Sequence, residues 1–422
     1  MIKKILIAVF LLFSFVTIAQ QATSSPYSFY GIGEVRFKGT VENRLMGSMA
    51  VIPDSIHINL QNPASYSSLK LATFTVGGSF NSSRLNSSQG NDKAQRTTVD
   101  YLAVGLPVGK SSGVTFGLLP YSSVGYRVSN EGYSVNETNQ TIKILKKYEG
   151  KGGLNKVFAG YGYQINKNFR IGADLSYNFG TIETKSIRYQ SDVDYGSQEK
   201  NTSEFSGITF NIGAMYERKI NKHDFYSSFR FTPQSNLKSN NERVISSILY
   251  SEDYTPGIIS QLTPIISNTT LKLPSEVAFG AGFGKSKKWV VGAEVTFKQS
   301  GDMTNRFSDI TGASFENRIQ YSLGGYFVPN YTSFSNYFKK ITYRAGFRYE
   351  KTGLVIRNES IRDYSFTGGF GLPLGGAFSN LNVGLEYGRK GTAKANLVEE
   401  NYMNVIMSFS LNDKWFVKRR YE

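Results

Sequence analysis

The 422-residue sequence contains no cysteine. Disulfide bonds therefore do not hold the chain together, thiolate chemistry is excluded, and so is a cysteine-linked lipid anchor. Histidine is almost as scarce: only His57 and His223 occur, far apart. A histidine-rich metal site is excluded with them, and each reads as an exposed loop or turn residue. Long apolar runs are missing after the first 19 residues. The run Ile5 to Ile18 is too short for the ~20 residues of a membrane helix. With Lys3 and Lys4 before it and the small residues Thr17 and Ala19 at its end, it reads as a signal peptide over residues 1–19. Nothing resembles a nucleophile elbow. The glycines of GGFGLPLGG lack the following helix and lysine of a phosphate loop. The expectation is no enzyme, no catalytic residue, no metal and no cofactor.

What is present points elsewhere. The chain has 42 Gly, 30 Phe and 27 Tyr, with a slightly negative mean hydropathy. Aromatic-rich, glycine-rich and polar on average is the composition of an all-β transmembrane barrel, in which lumen-facing polar residues dilute lipid-facing apolar ones. The formal charge is +16. No basic cluster coincides with a nucleic-acid recognition motif. Lysines and arginines scattered over a surface facing outer-membrane lipid and lipopolysaccharide account for the charge, and no nucleic-acid partner is expected.

Strict alternation supports the barrel. In NFRIGADLSYNFG, Phe169, Ile171, Ala173, Leu175, Tyr177 and Phe179 share one face, and Arg170, Gly172, Asp174, Ser176 and Asn178 the other. The pattern recurs in about fourteen segments of roughly 12 to 16 residues, long enough for tilted membrane strands. Tight turns at 109–112, 166–167, 221–223 and 284–287 alternate with long polar connections at 83–95, 128–152, 185–203 and 236–271. That parity suits an even-stranded barrel with both termini periplasmic in a Gram-negative outer membrane. The connection 329–339 is longer than the rule predicts. Asp174, Glu217, Glu294, Lys298, Arg318, Arg344, Arg348, Glu350 and Glu386 fall on the inner face, as a salt-bridged wet lumen or a path for a charged solute.

Residues 20–69 lack alternation yet carry Phe29, Tyr30, Ile32, Leu45, Met46, Met49, Val51 and Ile52. So apolar a segment reads as a hatch folded within the lumen, or as a partner-binding arm, rather than a solvated tail. It closes with Asn62, Pro63 and Ala64. Pro63 lacks a backbone donor and holds Asn62 extended, so the triplet would end the hatch and hand the chain to the wall.

The frame SFYGIGE, NRLMGSMA, INLQNPAS, LATFTVGGSF resembles the start of the FadL/TodX-like long-chain fatty-acid outer-membrane transporters. LPSEVAFGAGFGKSKKWVVGAEVTFKQ and YSFTGGFGLPL extend the likeness over nearly the whole mature chain. The resemblance implies a fourteen-stranded barrel over 70–412, an N-terminal hatch, and passive uptake of hydrophobic compounds such as fatty acids. It also implies a kinked third strand that opens a side passage to lipid. Pro120 lies in the third strand here, between Gly117 and Gly125. The three mark either that lateral opening or an ordinary bulge near the rim. The chain departs from the resemblance at its end, where residues 413–422 form a basic periplasmic tail with Trp415, Phe416, Lys418, Arg419 and Arg420. This tail reads as an interfacial belt or as a docking peptide for a partner protein. The alternative function is a non-transporting barrel subunit of an outer-membrane protein secretion or assembly complex.

Overall fold

The computed structural model describes residues 23–88, 90–135, 139–249, 257–307, 312–374 and 379–415. Fourteen antiparallel wall strands close into a barrel. They are β1 (Ala72–Ser87), β2 (Gly90–Val108), β3 (Ser112–Val135), β4 (Thr141–Gln164), β5 (Phe169–Gln190) and β6 (Gly196–Ile220). Next come β7 (His223–Thr232, continued by Ser235–Leu249), β8 (Thr269–Leu273, continued by Glu276–Lys285), β9 (Trp289–Lys298) and β10 (Ala313–Phe315, continued by Arg318–Phe327). The wall ends with β11 (Thr342–Ile356), β12 (Glu359–Pro373), β13 (Asn380–Gly391) and β14 (Glu399–Asp413). β14 pairs with β1 from Glu399↔Asn86 to Asp413↔Ala72, which removes the sheet edges.

Alternation sets the two faces as the sequence predicts. Leu175, Ile208 and Leu323 point outward and stay exposed, while Asp174, Thr209 and Ser322 beside them are buried in the lumen. Outward apolar side chains belong in lipid, where they cost nothing to leave unburied by protein.

The strands are longer than expected. β3, β4 and β6 span 24, 24 and 25 residues. Much of the expected long connections at 83–95, 128–152, 185–203 and 236–271 is therefore strand, drawn out into hairpins. Beyond the bilayer both faces of a strand are wet, so apolar alternation fades while backbone pairing continues. At ~3.4 Å per residue and a tilt near 40°, such a strand rises roughly 60 Å, about twice the hydrocarbon thickness. The short turns fall on the other rim, at 109–111, 165–168, 221–222 and 286–288. The long connection between Phe327 and Thr342 shares that rim and carries a 3-10 turn, Tyr337–Lys340.

The opening segment fills the lumen. It comprises a 3-10 turn Pro26–Phe29, a two-residue strand Glu34–Val35, a helical turn Val41–Arg44 and a 3-10 turn Pro63–Ser68. Ile32, Val41, Leu45, Met49, Ile58, Leu60, Tyr66 and Leu69 are all buried. Val41, Leu45, Ile58, Leu60, Tyr66 and Leu69 pack with inner-wall residues such as Tyr101, Leu119, Phe158 and Ile406, Ile32 with Val124 and Leu154, and Met49 with Tyr226 and Val290. Residues 1–19, expected to be a signal peptide, and Phe416, Lys418, Arg419 and Arg420 of the tail lie outside the described residues. Trp415 is exposed just past β14.

Candidate functional site

The junction triplet sits in a seat made of glycines. The Asn62 amide accepts from Ala64 N at 3.1 Å, capping the 3-10 turn, and donates to Ala214 O and Phe229 O of β6 and β7. Gly113, Gly162, Gly172 and Gly213 stand in register across β3, β4, β5 and β6. A β-carbon on Gly162 would come within 2.6 Å of Pro63 O, and one on Gly213 would overlap the Asn62 amide. Gly282, Gly292, Gly324 and Gly346 form a second such row across β8 to β11. The backbone of Met46 and Gly47 lies against Gly324 and Gly346. Only glycine lets two backbones approach so closely.

The inner-face charges meet as ion pairs, many of them with the hatch. Arg44 contacts Glu386 at 2.6 Å and Asp100 at 3.5 Å. Arg348 reaches Asp363 at 3.1 Å, Glu386 at 3.2 Å and Glu350 at 3.7 Å. Arg318 pairs with Glu350 at 3.0 Å, and Glu217 with Arg170 at 2.9 Å near the short-turn rim. Glu294 accepts from Ala50 N of the hatch and pairs with Arg230 at 3.0 Å. Asp174 faces Lys38 at 3.6 Å and accepts from Asn211 at 2.8 Å. Arg344 donates to Asn382, which in turn donates to Glu42 of the hatch. Lys298 is buried, facing the Tyr121 ring. All nine expected lumen charges therefore point inward. The hatch charges Lys38, Glu42 and Arg44, which meet some of the nine, and Glu34 and Arg36, which pair with Arg96, Lys390 and Asp100, escaped the sequence reading, because a segment without periodicity has no legible face.

His57 corrects the expectation of an exposed loop residue. Its side chain is only 10% exposed, with Nδ1 2.8 Å from Asp54 and Nε2 3.8 Å from Glu42. Burial favours the neutral ring, but Asp54 and Glu42 outweigh it and raise the imidazole above its ordinary value. His223, by contrast, lies at a turn and stacks on Phe283. Glu34 shows the same competition with the opposite sign. Burial raises its carboxyl, yet Lys390, Arg96 and Arg36 together hold it well below the usual carboxylate range.

β2 and β3 pair only from Leu102↔Leu118 to Val108↔Ser112. Beyond Leu118 the wall departs from its neighbour. Gly117 lies one residue before the last paired position, where a β-carbon would overlap Leu102 O. Pro120 marks a register shift against β4, and no ladder donor is needed there. Past it, Ser122 and Ser123 pair with Val35 and Glu34 of the hatch. Arg36 N donates to Tyr121 O, and Gly125 N donates to Ser28 Oγ. From the other side, Arg96 of β2 pairs with Glu34, and Arg36 donates to Thr98. The hatch thus fills the seam and is tied to both banks. What remains open is a lumen cavity of about 300 Å³, lined by charged groups including Glu34, Arg36, Lys156 and Lys390 and by apolar side chains including Ile32, Leu119, Phe210 and Met303.

Residues 1–422 match a family model described as BamG. No curated protein matches the sequence. Similar solved structures include the CymD monoaromatic hydrocarbon channel, at 13% identity and a TM-score of 0.57, covering 93% of this chain and 99% of that one. The Pseudomonas putida toluene transporter TodX follows at 12% and 0.56, covering 91% and 100%. A Pseudomonas aeruginosa FadL homologue matches at 11% and 0.57, also covering 91% and 100%. At these identities the likeness establishes the fold, and the FadL/TodX resemblance holds at that level.

Proposed function

The chain belongs to the BamG family, and from its geometry we propose that it is a plugged, non-conducting barrel serving as a subunit of an outer-membrane protein secretion or assembly complex. One observation carries this reading: the hatch fills the lumen and is bound to the wall by ion pairs around it, Lys38 to Asp174, Arg44 to Glu386, and Glu34 to Arg96 and Lys390. Removing one partner of such a pair strands a buried charge, at a cost of about 3–5 kcal/mol. A hatch held this way resists displacement. The long hairpins supply surface for partners. The strand Gly257–Leu262, which extends the β7–β8 connection, leaves Ile258, Ile259 and Leu262 exposed, with Ile265 just beyond it. It pairs with β7 on one side and, among the described residues, with no strand on the other. In this reading the hairpins face outward, and the short turns and both termini face the periplasm.

The test is gentle extraction from the native membrane, followed by native mass spectrometry and single-channel recording on the same sample. Stoichiometric partner proteins and no conductance are expected. An isolated barrel carrying a small hydrophobe, with measurable solute flux, would overturn the proposal.

A second reading is uptake of a hydrophobic compound, with a lateral opening at Gly117, Pro120 and Gly125. The early end of β2–β3 pairing favours it, as does the likeness in fold to a monoaromatic hydrocarbon channel and a toluene transporter. It requires Glu34–Val35 to leave the β3 edge.

A further inference from the structure

The positive charge of this protein is concentrated by rim rather than scattered. On the long-hairpin rim, cations are largely answered by acids: Lys151 and Lys200 both reach Glu183, at 3.1 and 3.0 Å, and Arg243 reaches Glu199 at 3.2 Å. The short-turn rim is different. Three neighbouring connections there, 218–224, 284–289 and 328–341, carry Lys222, Lys285, Lys287, Lys288, Lys339 and Lys340. Asp224 is the single acidic residue within them, and it accepts from Ser286 N at 3.0 Å. Aromatic rings stand among the lysines. Lys287 Nζ lies 5.3 Å from the Tyr331 ring, and Lys340 Nζ 5.6 Å from Phe334. Phe334 and Phe338 are 98% and 70% exposed.

The adjoining lipid-facing wall is shaped to match. Trp289, Phe327, Tyr343 and Phe370 form an outward aromatic row in register across β9 to β12. The next outward row away from that rim is Val291, Gly325, Ala345 and Gly368. These small residues leave a shallow groove between the aromatic row and the larger Leu323 and Phe347. A cluster of lysines at a membrane boundary attracts anionic headgroups. Aromatic rings settle at the same depth.

We propose that this sector is a binding surface for an anionic glycerophospholipid. The lysines hold the phosphate-bearing headgroup, and an acyl chain lies over Gly325 and Ala345. The site is separate from the lumen and does not depend on whether the barrel conducts.

Trp289 provides the readout, because Trp415 is the one other tryptophan. The full mature chain carrying Trp415→Phe is placed in phosphatidylcholine nanodiscs containing brominated phosphatidylglycerol or, at equal mole fraction, brominated phosphatidylcholine. Phosphatidylglycerol is expected to quench Trp289 at least twofold more strongly. The preference should vanish in Lys285→Gln/Lys287→Gln/Lys288→Gln and persist in Lys93→Gln/Lys238→Gln/Lys272→Gln on the other rim. Heat-modifiable gel mobility confirms that both variants are folded; Lys339→Glu/Lys340→Glu replaces the first if it is not. Equal quenching by the two lipids overturns the proposal, including the case where the sector captures an acidic peptide instead. A preference that survives the lysine substitutions overturns it as well.

Discussion

At the scale of single residues, the sharpest constraint is the contact between Gly213 and Asn62. A methyl at Gly213 would overlap the amide that bonds to β6 and β7. Gly213→Ala should therefore lower stability by about 1–3 kcal/mol, as overpacking does. Asn62→Ala should cost about 1 kcal/mol for the lost cap. The double variant should lose less than the sum, because Asn62→Ala removes the atom that the new methyl strikes. Urea titrations followed by heat-modifiable mobility would measure the cycle; strict additivity would show that the two do not touch. The triplet's place at the end of the hatch was legible in the sequence. The glycine row that receives it was not, because an inner-face glycine reads only as a small lumen residue until its partner is known. His57 was misjudged for a similar reason: its neighbours Asp54 and Glu42 make it a buried ion-pair centre, and Glu42 is remote in the chain. Its raised value gives a sign. The stabilisation is complete below the ordinary pKa of 6.5 and fades as pH rises through the higher folded value. The protection of residues 40–60, taken as hydrogen-exchange rates corrected for the intrinsic rise with pH, should therefore fall from pH 6 to pH 9, while Asp54, held low by His57, stays charged. His57→Gln should be less protected at pH 6, and its protection should change little with pH.

At the scale of elements, the wall strands were legible because lipid on one face and polar lumen on the other impose a period of two. Their ends were not, since that contrast stops at the membrane surface while pairing in the hairpins goes on. The seam between β2 and β3 was signalled by Pro120, but its partner, the strand Glu34–Val35, is too short to show alternation. The chain lacks cysteine, so a designed disulfide can test what the seam does. Val35 and Ser122 are directly opposed, at the spacing that suits a cross-strand disulfide. Val35→Cys/Ser122→Cys should oxidise nearly completely under mild conditions, read as a mass loss of about two protons. In a complex subunit, the locked form should support the same partner recovery as the reduced one. Loss of solute uptake only in the oxidised form would instead assign the seam to transport.

At the scale of the whole molecule, composition alone pointed to the barrel, because abundant Gly, Tyr and Phe with near-neutral hydropathy suits a wall wetted on one side. The polarity of charge between the rims was also present in the text, since GKSS, NKN, NKH and GKSK all carry lysine. It became visible only when those turns were placed on one rim. Reach is the remaining whole-molecule property. Hairpins rising about 30 Å past the hydrocarbon would serve no purpose in sealing a barrel. The strand Gly257–Leu262 at the end of one of them bears exposed apolar side chains on an edge that, among the described residues, no strand pairs with, where isolated proteins usually place charge or proline. If the edge receives a partner, Ile258→Ser/Ile259→Ser/Leu262→Ser/Ile265→Ser should leave the barrel folded and heat-modifiable, because none of the four is buried. The same variant should lose at least tenfold of the protein that co-purifies with the wild type. Ser substitutions elsewhere on the rim, at Tyr133 and Val135, should lose little. Undiminished recovery with the fourfold variant would move the partner surface away from this hairpin, and full loss of folding would show that its apolar side chains serve the barrel itself.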